Sequence, residues 1–340
     1  MTTLENRQFR LAARPVGLPK PSDWAYSSRE VAEPAEGEVL VRNIYLSLDP
    51  AMRGWMNEGK SYIEPVGIGQ VMRALGIGQV VTSRDTRLPV GTYVSGALGV
   101  QEYATLTGRH LLPVDPELAP LPVYLSVLGM PGMTGYFGLL EVGQPQPGET
   151  VVVSGAAGAV GQVVGQVARI QGCRVVGIAG GADKCRFVVD ELGFDSCVDY
   201  KAGAVKAQLR EQCPQGIDVY FDNVGGDILD DCLALLALHA RVIICGAISQ
   251  YNNTTAVKGP ANYLSLLINR ARMQGIVVTD YVRQYGEAVR IMGGWLRDGK
   301  MKSKEDIVSG IETFPDTLLK LFRGENLGKL ILKVGEERDI

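Results

Sequence analysis

Histidine is almost missing from this 340-residue chain, with only His110 and His239 present, and no cysteine precedes Cys173. A catalytic zinc takes three protein ligands, drawn mainly from His, Cys and carboxylates. One histidine and no cysteine in the first 172 residues fail that count, so we expect no metal. The six cysteines, Cys173, Cys185, Cys197, Cys213, Cys232 and Cys245, form no Cys-x-x-Cys pair. That excludes a zinc ribbon or dithiol motif, and reduced thiols packing as small hydrophobes are expected. Basic residues are not in excess: 34 Lys and Arg against 37 Asp and Glu give a net charge of −3. This removes the basic stripe that nucleic-acid binding needs. No apolar run reaches the ~18–20 residues of a membrane helix. The opening Met1-Thr2-Thr3-Leu4-Glu5-Asn6-Arg7 lacks a basic leader followed by an apolar segment. We expect a cytoplasmic protein with neither nucleic acid nor membrane as partner.

Glycine is abundant, 42 residues or about 12% against a usual ~7%. The glycines fall between apolar runs without a three-residue period, which excludes collagen. With 46% hydrophobic residues the chain can build a sizeable core. Its length exceeds the ~250 residues at which single cores stop growing, so two domains are expected. Residues 1–122 read as β-rich, with a strong strand at Val39–Leu46 closed by Asp49-Pro50. Gly-Ile-Gly-Gln-Val occurs at 67–71 and again at 76–80, as similar turns of a barrel would give. From about 123 the texture alternates. Strands are expected at 150–154, 174–179, 196–199, 218–222, 240–245 and 273–278. Helices are expected at 159–171, 183–192, 203–212, 226–238, 261–270 and 284–298. This α/β alternation is the pattern of a doubly wound parallel sheet over 123–302. The tail, 303–340, with the strand Lys329–Val334, rejoins the first domain.

The strongest local motif is Ser154-Gly155-Ala156-Ala157-Gly158-Ala159-Val160-Gly161. It follows an apolar strand and opens a helix, as the dinucleotide-binding G-x-G-x-x-G turn does, with Ala156 in the first glycine position. Gly158 lets the backbone approach a pyrophosphate, and Gly161 lets helix and strand pack closely. An NAD site ends its second strand with an acid that grips the ribose 2′-hydroxyl. Here Ala179-Gly180-Gly181-Ala182-Asp183-Lys184 stands instead, and Asp183 comes two or three positions late. Lys184 would attract the 2′-phosphate of NADPH, and Tyr200, after the third strand, could add a hydrogen bond.

Six strings in order carry a resemblance over roughly 45–335. They are Leu46-Ser47-Leu48-Asp49-Pro50-Ala51-Met52-Arg53-Gly54, Gly129–Gly138, the turn above, Tyr220-Phe221-Asp222-Asn223-Val224-Gly225-Gly226, Cys245–Asn252 and Gly324-Glu325-Asn326-Leu327-Gly328-Lys329. The chain resembles zinc-free medium-chain dehydrogenases/reductases, in the branch of leukotriene B4 12-hydroxydehydrogenase/prostaglandin reductase, 2-alkenal reductase and curcumin reductase. The resemblance implies a GroES-like β-rich domain plus a Rossmann domain, NADPH as hydride donor, and a homodimer joined through the last Rossmann strand. It implies that Gly158, Ala159, Val160 and Gly161 hold the pyrophosphate, and Lys184 and Tyr200 the 2′-phosphate. Asn223 and the loop Cys245, Gly246, Ala247, Ile248, Ser249, Gln250 and Tyr251 then line the ribose side. Ile276, Val277 and Val278 pass the nicotinamide, and Asn326 reaches back from the C-terminal segment. Relatives carry Tyr where Ala51 stands; Tyr62 is the candidate that fills this space beside the substrate.

With no metal to polarise a carbonyl, reduction of a carbon–carbon double bond conjugated to a carbonyl is the expected reaction, with Tyr251 stabilising the developing enolate. Two alternatives stay open from sequence. One is NADPH:quinone reduction, and the other a crystallin-like protein that holds the cofactor with little turnover.

Overall fold

The computed structural model describes residues 4–337. The chain divides into two compact units, Met1–Leu125 with Glu305–Ile340, and Ser126–Lys304. The first unit is organised by the strand Glu38–Ser47, buried at nearly every position because it is covered on both faces. It pairs antiparallel with Gly76–Ser83 and with Tyr103–Thr107. Its far end takes the returning tail: Lys329–Lys333 pairs with it at Ile331 and Ser47, Leu332 and Leu46, and Lys333 and Tyr45. Leu46, Met52, Trp55, Phe314 and Leu318 share one core. The two Gly-Ile-Gly-Gln-Val copies differ, contrary to expectation. The first is a turn with Gly69 at φ +80°, whereas the second opens the strand Gly76–Ser83. Five residues cannot fix a conformation that pairing partners decide.

A buried ion pair fastens the tail. Lys329 Nζ donates to Asp49 Oδ1 and to the Leu48 carbonyl, each at 2.7 Å, and Ser47 Oγ donates to the same carboxylate. Both charged side chains are buried, Lys329 completely. Burial holds the lysine below its ordinary range, and the facing Asp49 opposes that shift.

The second unit carries six parallel strands: β1 Thr150–Ser154, β2 Arg174–Ala179, β3 Ser196–Asp199, β4 Ile217–Asp222, β5 Leu236–Ile244 and β6 Arg272–Gly275. Their order is β3-β2-β1-β4-β5-β6, which is the Rossmann arrangement with its switch point between β1 and β4. The helices α1 (Met130–Phe137) and α2 (Ala159–Ile170) pack closely, since a Cβ on Gly135 would meet Val163 at 3.1 Å. Several boundaries shift from the sequence reading, and the helix expected over 261–270 is a single turn, Ser265–Ile268. The helix expected over 226–238 ends at Leu233 because β5 starts at Leu236, and β5 is irregular opposite Ile217 and Val219. His239 sits in that irregularity at φ +63°, its N–H bonded to the Asn269 carbonyl. The last strand runs 272–275, so Ile276, Val277 and Val278 follow it rather than form it.

Removing one partner of a buried pair leaves an uncompensated charge, a loss of about 3–5 kcal/mol. Asp49→Asn should therefore lower the denaturant midpoint markedly. An amine left without its carboxylate has its folded pKa depressed further, so the unfolded chain binds the extra proton. The deficit should then shrink as pH rises toward the ordinary lysine value of 10.5. Equal deficits at neutral and alkaline pH would contradict the burial of this charge.

Candidate functional site

The site residues of the second unit gather at the carboxyl ends of the parallel strands, beginning with the turn after β1. Gly155 has φ +61°, the left-handed conformation the turn demands, while Ala156 is buried against β2 with its N–H on the Ile178 carbonyl. The special backbone is thus one position before the expected first glycine, which is why alanine is tolerated there. A Cβ on Gly161 would lie 2.2 Å from the Gly155 carbonyl oxygen, so glycine is obligatory for the close approach of α2. Gly158 caps the helix, and Ala159 and Val160 form its first turn, partly open to solvent. An N-terminus of a twelve-residue helix, with backbone N–H groups directed outward, is suited to an anion. At the other end of its first turns, Gln162 and Gln166 are buried and exchange hydrogen bonds with the backbone of Lys304 and Lys302.

Beyond β2, Gly180 faces Tyr200, whose hydroxyl would lie 2.6 Å from a Cβ there. Any side chain at 180 would push the ring away. Gly181 is at φ +99° and opens the short helix Ala182–Arg186, which carries Lys184. Asp199 bridges the two loops, accepting the N–H of Gly181 at 2.7 Å and of Lys201 at 2.9 Å. Asp183, the acid nearest to the ribose-binding position of an NAD site, is exposed and paired with Arg186. No carboxylate therefore takes the ribose role at the end of β2.

The sequence reading missed the residue that organises the other half. Asp222, at the end of β4, is 1% exposed. Its carboxylate accepts from Ser154 Oγ at 3.0 Å, Tyr220 OH at 2.8 Å and the N–H groups of Val224 and Gly225 at 3.0 Å. Its carbonyl takes the N–H of Cys245 and Gly246. An acid ending an apolar strand, just before Asn-Val-Gly-Gly, was the available signal. Asn223 donates its side-chain amide to the Ser154 carbonyl at 2.7 Å, which ties β4 to β1. Ile248 and Ser249 bond back to the carbonyls of Asn223 and Val224. Gln250 and Tyr251 end the loop, and the Tyr251 oxygen accepts the Ala247 N–H at 3.1 Å. A Cβ on Gly246 would lie 2.9 Å from that oxygen, so glycine makes the ring's position possible. Burial, then the Asp222 carboxylate, pushes the Cys245 thiol up to about 12, which makes it a poor nucleophile.

Ile276 continues the β5 pairing through its N–H, Val277 follows it, and Val278 is buried. Two candidates, Asn326 and Tyr62, belong to the other unit. Asn326 donates locally to the Gly328 carbonyl at 2.9 Å, and Tyr62 is 65% exposed. The cysteines need one correction. Cys185 and Cys197 are joined as a disulfide rather than held as separate thiols, because the β2-to-β3 crossover returns residue 197 beside residue 185. Cys173, Cys213 and Cys232 are buried free thiols, and Cys245 is a half-buried one. Among the described residues, no group of three or more His, Cys, Asp and Glu is placed to hold a metal ion, and no helix is long and apolar enough to cross a membrane.

Residues 7–114 match a family described as the N-terminal domain of oxidoreductase, and residues 159–293 one described as zinc-binding dehydrogenase. The NADPH-dependent curcumin reductase of Escherichia coli is 43% identical over 334 residues, covering 97% of both chains. The NADP(+)-dependent 2-alkenal reductase of Nicotiana tabacum is 39% identical over 341 residues, covering 98% of this chain and 99% of its own. A crystal structure of CurA in complex with NADPH from Vibrio vulnificus superposes with a TM-score of 0.93 at 44% identity, over 97% of this chain and all of that one. The chain belongs to the zinc-free branch of the medium-chain dehydrogenase/reductase superfamily, a family of oxidoreductases.

Proposed function

We propose that this chain reduces the carbon–carbon double bond of α,β-unsaturated ketones and aldehydes, as a metal-independent homodimer of the cytoplasm. The observation that carries the reading is its near full-length similarity to reductases named for curcumin and 2-alkenals. NADPH is the cofactor, and when bound it supplies the hydride that adds to the β-carbon. The residues present fit it. The glycine turn and the first turn of α2, Gly158 to Gly161, would take the pyrophosphate. Lys184 and Tyr200 would take the 2′-phosphate, at a strand end without a competing acid. Asn223, the 245–251 loop and Ile276–Val278 would line the ribose and nicotinamide, with Asn326 assigned by family resemblance.

Negative charge develops on the substrate carbonyl oxygen, and a donor held there lowers the barrier. Tyr251 is our candidate. Its oxygen accepts the Ala247 N–H, which helps to fix the ring. The second copy we assign to the β6 edge. That strand is exposed along its length, and Tyr263, Leu264, Leu267 and Ile268 beside it are exposed apolar residues. Such an edge invites strand pairing.

The direct test is steady-state NADPH oxidation with a simple enone, enals, curcumin and quinones, with and without exhaustive chelation. We expect the saturated carbonyl as product and the same rate under chelation. Turnover with quinones alone would overturn the proposal. Lys184→Ala should raise the KM for NADPH by about 10–100-fold, the scale of one charge-assisted hydrogen bond, while NADH kinetics barely move. Equal weakening toward both cofactors would reduce Lys184 to a structural residue. Tyr251→Phe should cut kcat by about 10–1000-fold with little change in NADPH affinity. A raised KM for NADPH with intact kcat would instead mean that the hydroxyl serves only the loop through Ala247. Light scattering at micromolar concentration should report a dimer, and a 36.6 kDa species would remove that assignment.

A further inference from the structure

The helix Ala182–Arg186 has an unusual weakness: none of its five residues is buried. The next anchor in the chain is Val188, which is fully buried. Its exposed Asp183–Arg186 pair lies within the segment. Two of the segment's contacts reach β3 and its end. One is the Gly181 N–H on Asp199, and the other is the Cys185–Cys197 disulfide, with Cα atoms 5.2 Å apart and twelve positions apart in sequence. That spacing lies inside the ordinary range for disulfides, about 4.4–6.8 Å. Cys185 is the neighbour of Lys184, and Cys197 stands three residues before Tyr200 on the strand that delivers it. The bond therefore crosses the base of the pair of side chains assigned above to the 2′-phosphate.

We propose that Cys185 and Cys197 form a reversible thiol–disulfide pair whose oxidised state preorganises the 2′-phosphate corner and tightens NADPH binding. This rests on the NADPH reading given above. Oxidation by a low-molecular-weight disulfide such as oxidised glutathione balances in two exchanges. One cysteine attacks that disulfide, forming a mixed disulfide and expelling one small thiol. The second cysteine then attacks the mixed disulfide, closing the 185–197 bond and expelling the other thiol. The protein loses two electrons and two protons, and the small disulfide gains them. Both cysteines are half-buried and within reach of solvent. Burial instead pushes the Cys173 and Cys213 thiols up to about 11 and Cys245 to about 12, so these stay protonated and unreactive. Intracellular disulfides are usually of this transient, sensing kind. Reduction removes the covalent link from a segment that has no buried residue, and ligand binding then bears more of the cost of ordering it.

The full-length protein, equilibrated with reduced or with oxidised glutathione, is alkylated and mapped by mass spectrometry. The same two preparations are titrated calorimetrically with adenosine 2′,5′-bisphosphate and with 5′-AMP. Cys185 and Cys197 should be protected together, and only after oxidation. The bisphosphate should bind about 2–10-fold more weakly after reduction, the scale of ordering one or two side chains, and 5′-AMP should change less. Complete alkylation of both cysteines in both preparations would overturn the proposal, as would a mapped bond with equal bisphosphate affinity in the two states. A redox effect that persists in Cys185→Ser would assign it to other thiols and overturn it too. If the bisphosphate binds no tighter than 5′-AMP in either state, the NADPH reading itself falls and takes the coupling with it. The mapped bond then tells the two failures apart.

Discussion

The end of β4 is held by one buried carboxylate, and the geometry of the switch point depends on it. A carboxylate withdrawn from water is tolerated only when donors surround it. Asp222 is surrounded by Ser154 Oγ, Tyr220 OH and two backbone N–H groups. Hydrogen bonds to a charged group are worth about 1.5–3 kcal/mol each, so no rearrangement that breaks two of them is open to the turn. Burial raises Tyr220 well above the ordinary phenol range, which keeps the proton that it donates. Because the Asp222 carbonyl also takes the N–H of Cys245 and Gly246, the same residue sets where the next loop leaves β5. Asn223, Gly246 and Tyr251 occupy their positions as consequences of that anchoring.

The other unit repeats the solution with a different pair. Lys329 and Asp49 neutralise each other inside the β-rich core, and the lysine reaches the Leu48 carbonyl as well. A buried pair is weak support for stability by itself, since desolvation cancels much of the attraction. Its value here lies in register. Only one alignment of the returning strand on Glu38–Ser47 places the ammonium against the carboxylate, and that alignment sets Ile331 opposite Ser47. A chain whose β-unit is assembled from both termini needs such a specification, because Asp49 and Lys329 stand 280 positions apart in sequence with the second unit inserted between them.

Much of this was legible in the residues, and the parts that were not share a cause. The fully buried β1 followed by the glycine turn and α2 could be read, because burial on both faces writes the run Val151–Val153 and close approach writes glycine. The β2 end without an acid was legible for the same reason, as a residue type at a fixed offset. What escaped were facts about partners. Asp222 reads as a strand-ending acid, and nothing in its neighbours names Ser154, 68 residues earlier, as its donor. Cys185 and Cys197 lie twelve apart with no motif spacing, and only the crossover brings them together. The early end of the helix at Leu233 depended on where β5 begins, with His239 turned into a left-handed conformation opposite β4. The Tyr251 oxygen on Ala247 is a local bond, yet it required Gly246 to make room.

The cofactor preference we propose follows from how the corner after β2 spends its charges. Among the acids near it in sequence are Asp183, Asp195 and Asp199. Asp199 is engaged by the N–H groups of Gly181 and Lys201, Asp195 accepts the Val175 N–H at the far end of β2, and Asp183 is paired with Arg186. These three are already engaged within the protein. Placing an acid at Gly180, as an NAD site would, meets the Tyr200 ring at 2.6 Å. Glycine at 180 leaves room for Tyr200, and we assign the preference to Tyr200 together with Lys184. Selectivity of this kind arises as much from what the fold refuses as from what it attracts.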